Sequence, residues 1–337
     1  MNIKQKILKN VELDLKSIEV ALKKNLKPNL KLVKNIASYL LFSGGKRLRP
    51  LLLIHSARLC NYDDNDLLIK FSTVFEYLHA ATLLHDDIID MADIRRKRKT
   101  AHKKWSTAKV VLTGDFLLAR CLEITTQTKR IKLIKVVAKI TNDMSQAEIE
   151  QLDKKGKLNI LEKPYLNIIK RKTASLIQGA CQCGAIIANN KSSAKKKLLK
   201  KEKALKKYGF HLGMAFQMID DILDYTAEKK ILGKNPGTDM AEKKLTLPVI
   251  HALTCANNAD KKWIENVFTK NLSDENFDLK VFEKLKEKLY SYNSIKYAEN
   301  KARNHIKKAK AQLKIFNNCK SKKVLCQIAN YCLQRKL

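Results

Sequence analysis

The stretch NDLLIKFSTVFEYLHAATLLHDDIIDM, residues 65–91, decides the class of fold. Its apolar residues recur every three or four positions, as on the buried face of a helix, and no glycine or proline interrupts it. We expect one helix over Asn65 to Met91, with Asp66 near its start, and about twenty-five residues make a rod approaching roughly 40 Å. The 337 residues include only ten Gly and five Pro, about a third of average usage. The chain is therefore predicted to be all-α.

The same periodicity continues along the rest of the chain, between short segments rich in Gly, Pro, Asn or Asp. Residues 1–26 are amphipathic, and we expect them to form a helix that packs on the bundle or on a dimer partner. The lysine-rich residues 195–207 also carry apolar residues at helical spacing, which indicates a solvated helix face. We expect a single domain over residues 1–337. Helices should break near residues 27–29, 43–45, 61–66, 97–104, 153–164, 189–193, 233–238, 257–260 and 271–276.

The charge of the chain is strongly positive, with 68 Lys and Arg against 33 Asp and Glu and a formal net charge of +35. Such a surplus is found in proteins that bind nucleic acid, an anionic membrane surface or an anionic substrate. Because lysine is also abundant in plain surface helices, we interpret compositional bias as the main source. The eight cysteines form no CxxC pair, so neither zinc nor a redox dithiol is indicated, and we expect free thiols.

The first segment does not have the pattern of a leader, because Glu12, Asp14 and Glu19 interrupt it. No uninterrupted apolar run approaches the roughly eighteen residues of a membrane span. We expect a soluble, cytoplasmic protein. Its surplus positive charge also suggests peripheral contact with the inner membrane surface.

Two acidic triplets have the same spacing, DDIID at residues 86–90 and DDILD at residues 220–224. On a helix the first and fifth residues share a face and the second flanks it, so three carboxylates lie close together. Each triplet alone could be an acidic helix end in water. Two copies, each following an apolar run, instead favour a site for Mg²⁺, which binds through one or two carboxylates together with substrate phosphates.

Basic clusters near the triplets support a metal–phosphate site. SGGKRLRP, residues 43–50, opens a predicted helix, where glycines let backbone N–H groups approach an anion. Arginine suits bidentate phosphate contacts and lysine supplies a point charge. The other basic residues near the triplets are Arg95, Arg96, Lys172, Lys234 and Lys244.

In chain order, GGKRLRP, LLHDDIID followed by RR, GDFLLAR, RKTASL, YGFHLGMAFQMIDDILDY and GKNPGTDMAEKKLTLP resemble the motifs of the trans-prenyltransferases, the polyprenyl diphosphate synthases. The resemblance implies an all-α isoprenoid-synthase helical bundle around a deep central cavity, a homodimer, and about two or three Mg²⁺ ions between facing aspartate motifs. Such enzymes condense an allylic diphosphate with isopentenyl diphosphate. Diphosphate leaves the allylic substrate, the double bond of isopentenyl diphosphate attacks the cation, and a proton is lost.

The resemblance also assigns roles, position by position. Metal binding is assigned to Asp86, Asp87, Asp90, Asp220, Asp221 and Asp224. The allylic diphosphate would contact Arg95, Lys172 and Lys234. Isopentenyl diphosphate would contact Lys46, Arg49, His79 and Arg96. Thr173 and Gln217 would present oxygens to the carbocation, and Lys244 would help to close the site.

Three loops depart from the family pattern. The glycine that usually follows the paired arginines is Lys97, and the proline before the threonine is Lys99, so we expect a less tightly turned loop there. Thr238 and Asp239 stand where two acids are common, and Leu245 replaces a proline. No triplet carboxylate is lost, and we expect altered affinity with retained activity.

Product length should depend on the residues before the first triplet. Helical geometry puts Thr82 and Ala81 directly beneath the diphosphate site, and both are small, whereas short-chain members of the family have bulky aromatics there. Leu78 and Tyr77 follow one turn further down. Each turn of about 5.4 Å roughly matches one isoprene unit, so we expect about eight to ten units, a C40 to C50 quinone side chain.

Three alternatives share parts of this pattern. A shorter-chain farnesyl or geranylgeranyl diphosphate synthase would carry the same catalytic motifs. A noncatalytic subunit of a heteromeric synthase would have little reason to retain both triplets. A helical nucleic-acid binder would account for the charge but would need basic residues aligned on one groove-facing helix, so we expect no nucleic acid.

Overall fold

The computed structural model describes residues 2–62, 64–158, 161–188, 195–227, 237–269 and 278–335. Within these ranges the regular structure is helical apart from one two-stranded hairpin, as the all-α prediction requires. Lys234 lies outside the described residues, as do all or most of the breaks expected near 189–193, 233–238 and 271–276.

The α-helices vary from four to thirty-two residues. In chain order they are α1 (Ile3–Leu26), α2 (Lys31–Leu41), α3 (Leu48–Leu59), α4 (Asn65–Ile89), α5 (Thr107–Thr126), α6 (Ile131–Asp153), α7 (Glu162–Ile169), α8 (Ser175–Ala188), α9 (Lys195–Thr226), α10 (Thr238–Ala241), α11 (Leu247–Cys255), α12 (Asn258–Thr269), α13 (Leu279–Ser291), α14 (Ser294–Gln312) and α15 (Lys320–Gln334).

Shorter elements join some of these helices. β1 (Ile94–Arg95) and β2 (Arg98–Lys99) form an antiparallel hairpin after α4, and residues Lys170–Ala174 form a π-helical segment that joins α7 to α8 without a break. Single 3₁₀ turns occupy Ala101–Lys103 and Leu313–Ile315.

The long helix predicted from residues 65–91 is α4, which ends at Ile89 with Asp90 as its C-cap. It packs on α1, α3, α5 and α8, so apolar side chains on several of its faces are buried. By length and composition alone, α4 could cross a membrane, because its most apolar window of eighteen residues has a mean hydropathy of 1.3 despite scattered polar residues. Since 67% of that window is buried inside the protein, α4 has the pattern of a core helix.

The N-terminal helix α1 packs on α3, α4 and α15. Its Leu22 is completely buried, and the carbonyl oxygen of Leu22 accepts a hydrogen bond from the hydroxyl of Tyr77 in α4 at 2.6 Å. Asp14 forms an ion pair with Arg58 of α3 at 2.8 Å. Helix α1 therefore packs on the bundle.

Two glycines allow the inner helices to approach closely. A Cβ at Gly184 of α8 would lie 2.3 Å from the carbonyl oxygen of Leu53 in α3. A Cβ at Gly213 of α9 would lie 2.5 Å from the Cα of Ala174, at the end of the π-helical segment. Because both approaches require the absence of a side chain, Gly184 sets the distance between α8 and α3, and Gly213 sets the distance between α9 and the π-helical segment.

The loop after the first triplet is more tightly turned than expected. Arg96 and Lys97 form the two-residue turn of the hairpin, with positive φ angles of 52° and 63°. Two such residues are typical of a type I′ turn, whose twist matches the strands. The expectation of a looser loop, which rested on the missing glycine at position 97, is wrong. Pairing of Ile94 with Lys99 closes the hairpin although a side chain is unfavourable at positive φ.

Candidate active site

The first acidic triplet lies where α4 ends, and two of its carboxylates are paired with cations. Asp87 is only 2% exposed and accepts a hydrogen bond from Arg95 Nε at 2.5 Å. Asp90 lies 3.2 Å from Lys155 Nζ and 3.5 Å from Lys244 Nζ. Burial raises the pKa of Asp90. The positive charges of Lys244 and Lys155 lower it by a larger amount, so the net shift is downward. The hairpin, the turn after α6 and the segment after α10 thus bring positive charge to the triplet.

The third carboxylate, Asp86, has no hydrogen-bond or ion-pair partner among the described side chains. Burial raises the pKa of Asp86 to about 6, and Lys172 opposes the rise while Glu148 and Asp90 add to it. A partly buried carboxylate without a paired cation is suited to accept one.

The second triplet lies on α9, and its central member is held by neutral donors. Asp221 accepts hydrogen bonds from the Tyr165 hydroxyl at 2.6 Å and from Gln217 Nε2 at 2.8 Å. Burial raises the pKa of Asp221 to about 6, although both of these hydrogen bonds lower it. The carboxylate is therefore fixed in orientation without being neutralised.

The flanking members of this triplet have other partners. Asp220 forms an ion pair with Arg335, just after α15, at 2.7 Å. Asp224 is completely buried, and its Oδ2 accepts the backbone N–H of Asp239 at 2.9 Å. The end of the chain and the start of α10 therefore both contact the triplet.

The π-helical segment carries the predicted pair Lys172 and Thr173. π-Helical turns are rare and occur often at functional sites. The Thr173 hydroxyl donates to Gln217 Oε1 at 2.6 Å, which links the segment to α9 and, through Gln217, to Asp221. Lys172 Nζ donates to Gln151 Oε1 at 2.7 Å. Lys172 and Lys244 both line the same cavity.

A cavity of about 1080 Å³ connects these groups. Its described lining includes Asp220 and Asp221 of the second triplet and the cations Arg95, Lys155, Lys172 and Lys244. Three of these cations are the partners of Asp87 and Asp90. One cavity therefore adjoins the second triplet directly and the first triplet through its paired cations.

The glycine-rich loop before α3 borders the same cavity. Gly44 and Gly45 have φ angles of 110° and 154°, which a residue with a side chain would adopt only with strain. Lys46 lines the cavity, with its ammonium 5.0 Å from the centre of the Tyr331 ring. Both glycines thus allow the sharp path that brings Lys46 to the cavity.

Three predicted anion-binding side chains cluster behind this loop. Arg49 Nε is buried without a hydrogen-bond acceptor, within the part of the chain that the structure describes. Arg96 donates to Ser43 Oγ at 3.2 Å and to the carbonyl oxygen of Gly44. Burial, Arg49 and Arg96 hold the pKa of His79 well below its usual value, so the imidazole is neutral. This concentration of positive charge suits a diphosphate.

The four residues expected to control product length lie in the buried part of α4. Ala81, Leu78 and Tyr77 are at most 1% exposed, and Thr82 is partly buried. None of the four is among the described residues that line the cavity. The Tyr77 hydroxyl points toward α1, so the structure does not bring Tyr77 to the face of Asp86.

Another residue, Phe75, does lie on that face and was missed. It is eleven residues, about three helical turns, before Asp86. Its ring is 6.2 Å from the ring of Phe71, and it packs near Gly179 of α8. The periodic spacing could have identified Phe75.

Sequence reasoning also missed Tyr165, Lys155 and Arg335. Tyr165 lies seven residues, about two helical turns, before Lys172, and that spacing could have placed both on one face. Lys155 and Arg335 carry no local signal, because each meets its triplet only through contacts between distant parts of the chain.

The donor set fits a hard divalent cation that is shared with a substrate. No three Asp, Glu, His or Cys side chains of the described residues are close enough to hold a metal by themselves. Mg²⁺ does not need such a cage, since it is commonly bound by one or two carboxylates plus phosphate oxygens and water. The partly buried Asp86 and the buried Asp221 offer oxygen donors that match that mode.

An all-α bundle with two carboxylate triplets and a ring of cations around one cavity defines the isoprenoid-synthase class of fold and site. Comparisons with known proteins agree. Residues 30–285 match the family described as polyprenyl synthetase, and the chain belongs to this family of prenyltransferases.

Similar proteins cover almost the whole chain. An octaprenyl diphosphate synthase from Haemophilus influenzae is 33% identical, over 98% of this chain and 96% of that protein. A solved polyprenyl synthase from Caulobacter crescentus, in complex with calcium and isoprenyl diphosphate, is 31% identical, with a TM-score of 0.89 over 100% of this chain and 98% of its own. A solved decaprenyl diphosphate synthase from Rhodobacter capsulatus is 28% identical, with a TM-score of 0.89 over 99% of each chain.

Proposed function

We propose that this protein is a long-chain trans-polyprenyl diphosphate synthase that adds isopentenyl diphosphate repeatedly to an allylic diphosphate. The observation that carries the proposal is the cavity that is lined by the second acidic triplet and by the cations paired with the first. The octaprenyl and decaprenyl synthases among its relatives support a C40 to C50 product, suited to a quinone side chain.

Departure of diphosphate is the difficult step, because its developing negative charge must be met by fixed positive charge. Arg95 and Lys172 line the cavity and would bind the allylic diphosphate, with Lys234 as a third predicted contact. Lys244, between Asp90 and Glu242, would help to close the site over the substrate. No nucleophilic side chain is required.

Bound Mg²⁺ would supply electrostatic stabilisation of the leaving diphosphate. Asp86, Asp87 and Asp90 on α4 would hold it together with Asp220, Asp221 and Asp224 on α9. About two or three ions suit six carboxylates that are shared with substrate phosphates.

Isopentenyl diphosphate would bind at Lys46, Arg49, His79 and Arg96, where arginine charge is concentrated. Its double bond would then face the allylic carbon. Thr173 and Gln217 would place oxygens near the allylic cation. Because Gln217 Oε1 already accepts the Thr173 hydroxyl proton, the lone pairs of Thr173 are the more available of the two.

Product length would be set below Asp86 by Thr82, Ala81 and Leu78, with Phe75 as a candidate floor. We expect Ala81→Phe to shorten the product to roughly three or four isoprene units, since one helical turn matches about one unit. Tyr77→Phe is the matched control: it removes only the hydroxyl bonded to α1 and should leave product length unchanged. An unchanged product from Ala81→Phe would place the shaft elsewhere.

The enzyme would act as a homodimer through α5. Leu112 is 66% exposed and Leu122 is 46% exposed, and with Ala119 they form an apolar stripe at helical spacing. Leu112→Glu should dissociate the dimer in analytical ultracentrifugation. Leu279→Glu on α13, where the leucine is 63% exposed, is the control.

We place the protein in the cytoplasm, with peripheral contact at the inner membrane surface. The net charge of +35 would favour an anionic membrane that accepts the apolar product. Co-sedimentation with anionic vesicles but not with neutral vesicles checks this.

The central test incubates the purified chain alone with Mg²⁺, labelled isopentenyl diphosphate and allylic starters of different length, followed by sizing of the extracted lipids. Eight to ten units, that is C40 to C50 lipids, are expected. Lipids of about C15 to C20 would indicate a short-chain synthase. No product from the chain alone would indicate a subunit of a heteromeric synthase.

A further inference from the structure

Arg47 lies in the glycine-rich loop but does not face the cavity. It is 4% exposed, adopts a positive φ of 47° and is the N-cap residue of α3. Its three side-chain nitrogens all have acceptors, at distances of 2.6 to 2.8 Å: Glu19 of α1, Glu76 of α4 and the carbonyl oxygen of Leu41 in α2. A charged residue with contacts to three helices, two of them buried, is strongly fixed.

Glu76, the buried partner of Arg47, is 5% exposed and lies close to the proposed isopentenyl diphosphate site. Its charge acts on both Arg49 and Arg96, and it raises the pKa of each against the lowering effect of burial. An unmasked carboxylate here would attract the two guanidinium groups that the substrate diphosphate needs. Arg47, at 2.8 Å from Glu76, neutralises that carboxylate instead.

We propose that Arg47 is a positioning residue of the isopentenyl diphosphate site: it masks the buried charge of Glu76 and so leaves Arg49 and Arg96 available to the substrate. Glu19 orients Arg47 from outside, at 2.6 Å from its Nε. Glu19 belongs to α1, which precedes the matched region of residues 30–285. The N-terminal helix thereby contributes to substrate affinity. The inference rests on the proposed function.

The test compares Arg47→Gln, Glu76→Gln and the double variant. Affinity for isopentenyl diphosphate is measured by calorimetry without an allylic substrate, and KM values for both substrates are measured during turnover. Arg47→Gln should weaken isopentenyl diphosphate binding about tenfold, the size of one charged hydrogen bond, with a smaller change in the allylic KM.

The double variant separates masking from support of the fold. Without the Glu76 carboxylate there is no charge to mask. Arg47→Gln/Glu76→Gln should therefore restore affinity to within about threefold of the wild type, because the two substitutions remove both members of one interacting pair. Equal weakening in the single and double variants would overturn the proposal, as would unchanged affinity in Arg47→Gln.

Arg47→Gln leaves a buried carboxylate unpaired and could fail to fold. The double variant then decides, because it has no buried carboxylate to leave unpaired: affinity within about threefold of the wild type supports masking, and a loss of about tenfold refutes it. Glu76→Gln alone should also bind isopentenyl diphosphate within about threefold of the wild type, since Arg47 already masks that charge, and a loss of about tenfold there would equally refute masking. Glu19→Gln should weaken binding modestly, whereas Glu12→Gln, on the same helix in an exposed pair with Lys16, should not. A wild-type chain that neither binds nor condenses isopentenyl diphosphate would refute the proposed function rather than the role of Arg47.

Discussion

The two acidic triplets share one spacing but differ in their surroundings. The first lies at the end of α4, where Asp90 is paired with Lys155 and Lys244. The second lies within α9, where Asp221 accepts hydrogen bonds from two neutral groups. Charge is thus compensated at Asp90 and left uncompensated at Asp221.

In the proposed mechanism this difference would correspond to two ways of preparing a carboxylate for a metal ion. A lysine ammonium on a flexible side chain can move away, so Asp90 would exchange its lysine partners for the metal ion when substrate binds. Neutral donors instead orient an oxygen and keep its charge available. In the proposed mechanism the first triplet would rearrange when the substrate arrives, while the second is already aligned.

The largest expected effect is on activity. Asp221→Asn and Asp90→Asn should each lower kcat/KM by about a hundredfold to a thousandfold, because each removes charge that would hold the metal and the leaving diphosphate. Steady-state assays at saturating Mg²⁺ measure the loss. Asp66→Asn, at the far end of α4, is the control and should retain activity. Full activity in either triplet variant would remove that triplet from the site.

The same two substitutions should change the stability of the metal-free protein in opposite directions. Burial holds the pKa of Asp221 near 6, above its usual value, so the stability linked to this group is present at low pH and is lost as pH rises through about 6. At pH 7, Asp221→Asn should therefore raise the free energy of unfolding by up to about 3 kcal/mol.

Asp90 has a lowered pKa, so its ionised form stabilises the fold above the usual carboxyl pKa, and this stability is lost as pH falls through the folded value. Asp90→Asn should destabilise the protein at pH 7. Urea unfolding with a chelator at pH 7 and pH 5 measures both, and the gain from Asp221→Asn should shrink at pH 5. Changes of the same sign would show that the triplets are not differently compensated.

A third prediction concerns the alignment of the second triplet. Gly213→Ala would place a Cβ 2.5 Å from Ala174 Cα and force α9 away from the π-helical segment, which separates Gln217 from Thr173. We expect a loss of about 1–3 kcal/mol in stability and about tenfold in kcat. Gly184→Ala, at an equally close contact between α3 and α8, is the control. It should cost similar stability but less activity, and equal losses in kcat would argue against alignment.

The sequence allowed prediction of features that depend on local order. The period of residues 65–91 predicted α4 to within two residues at its end, and the i, i+4 spacing placed Asp86 and Asp90 on one face. Tyr165 and Asp221 illustrate the limit, because they are 56 residues apart and meet only when α7 packs on α9.

The hairpin and the π-helical segment show a second limit. Local propensity at Lys97 argues against a tight turn, but pairing of the strands overrides it. Nothing in RKTA itself indicates a π-helix. Close packing of Gly213 against Ala174 accompanies it, and that contact joins residues 39 positions apart. Single-residue preferences are small compared with such tertiary contacts.

The smallest expected effect lies in the hairpin that brings Arg95 to Asp87. Lys97 has a φ of 63°, and a glycine there avoids the steric cost of a Cβ, although it adds entropy to the unfolded chain. Lys97→Gly should therefore raise stability by about 0.5–1 kcal/mol, measured as a small rise in Tm. Lys99→Gly, in β2 without positive φ, should lower it. Lys97→Gly should leave kcat nearly unchanged, because the ion pair with Asp87 already holds Arg95 in place. A marked change in kcat would mean that the turn limits how Arg95 moves between Asp87 and the substrate.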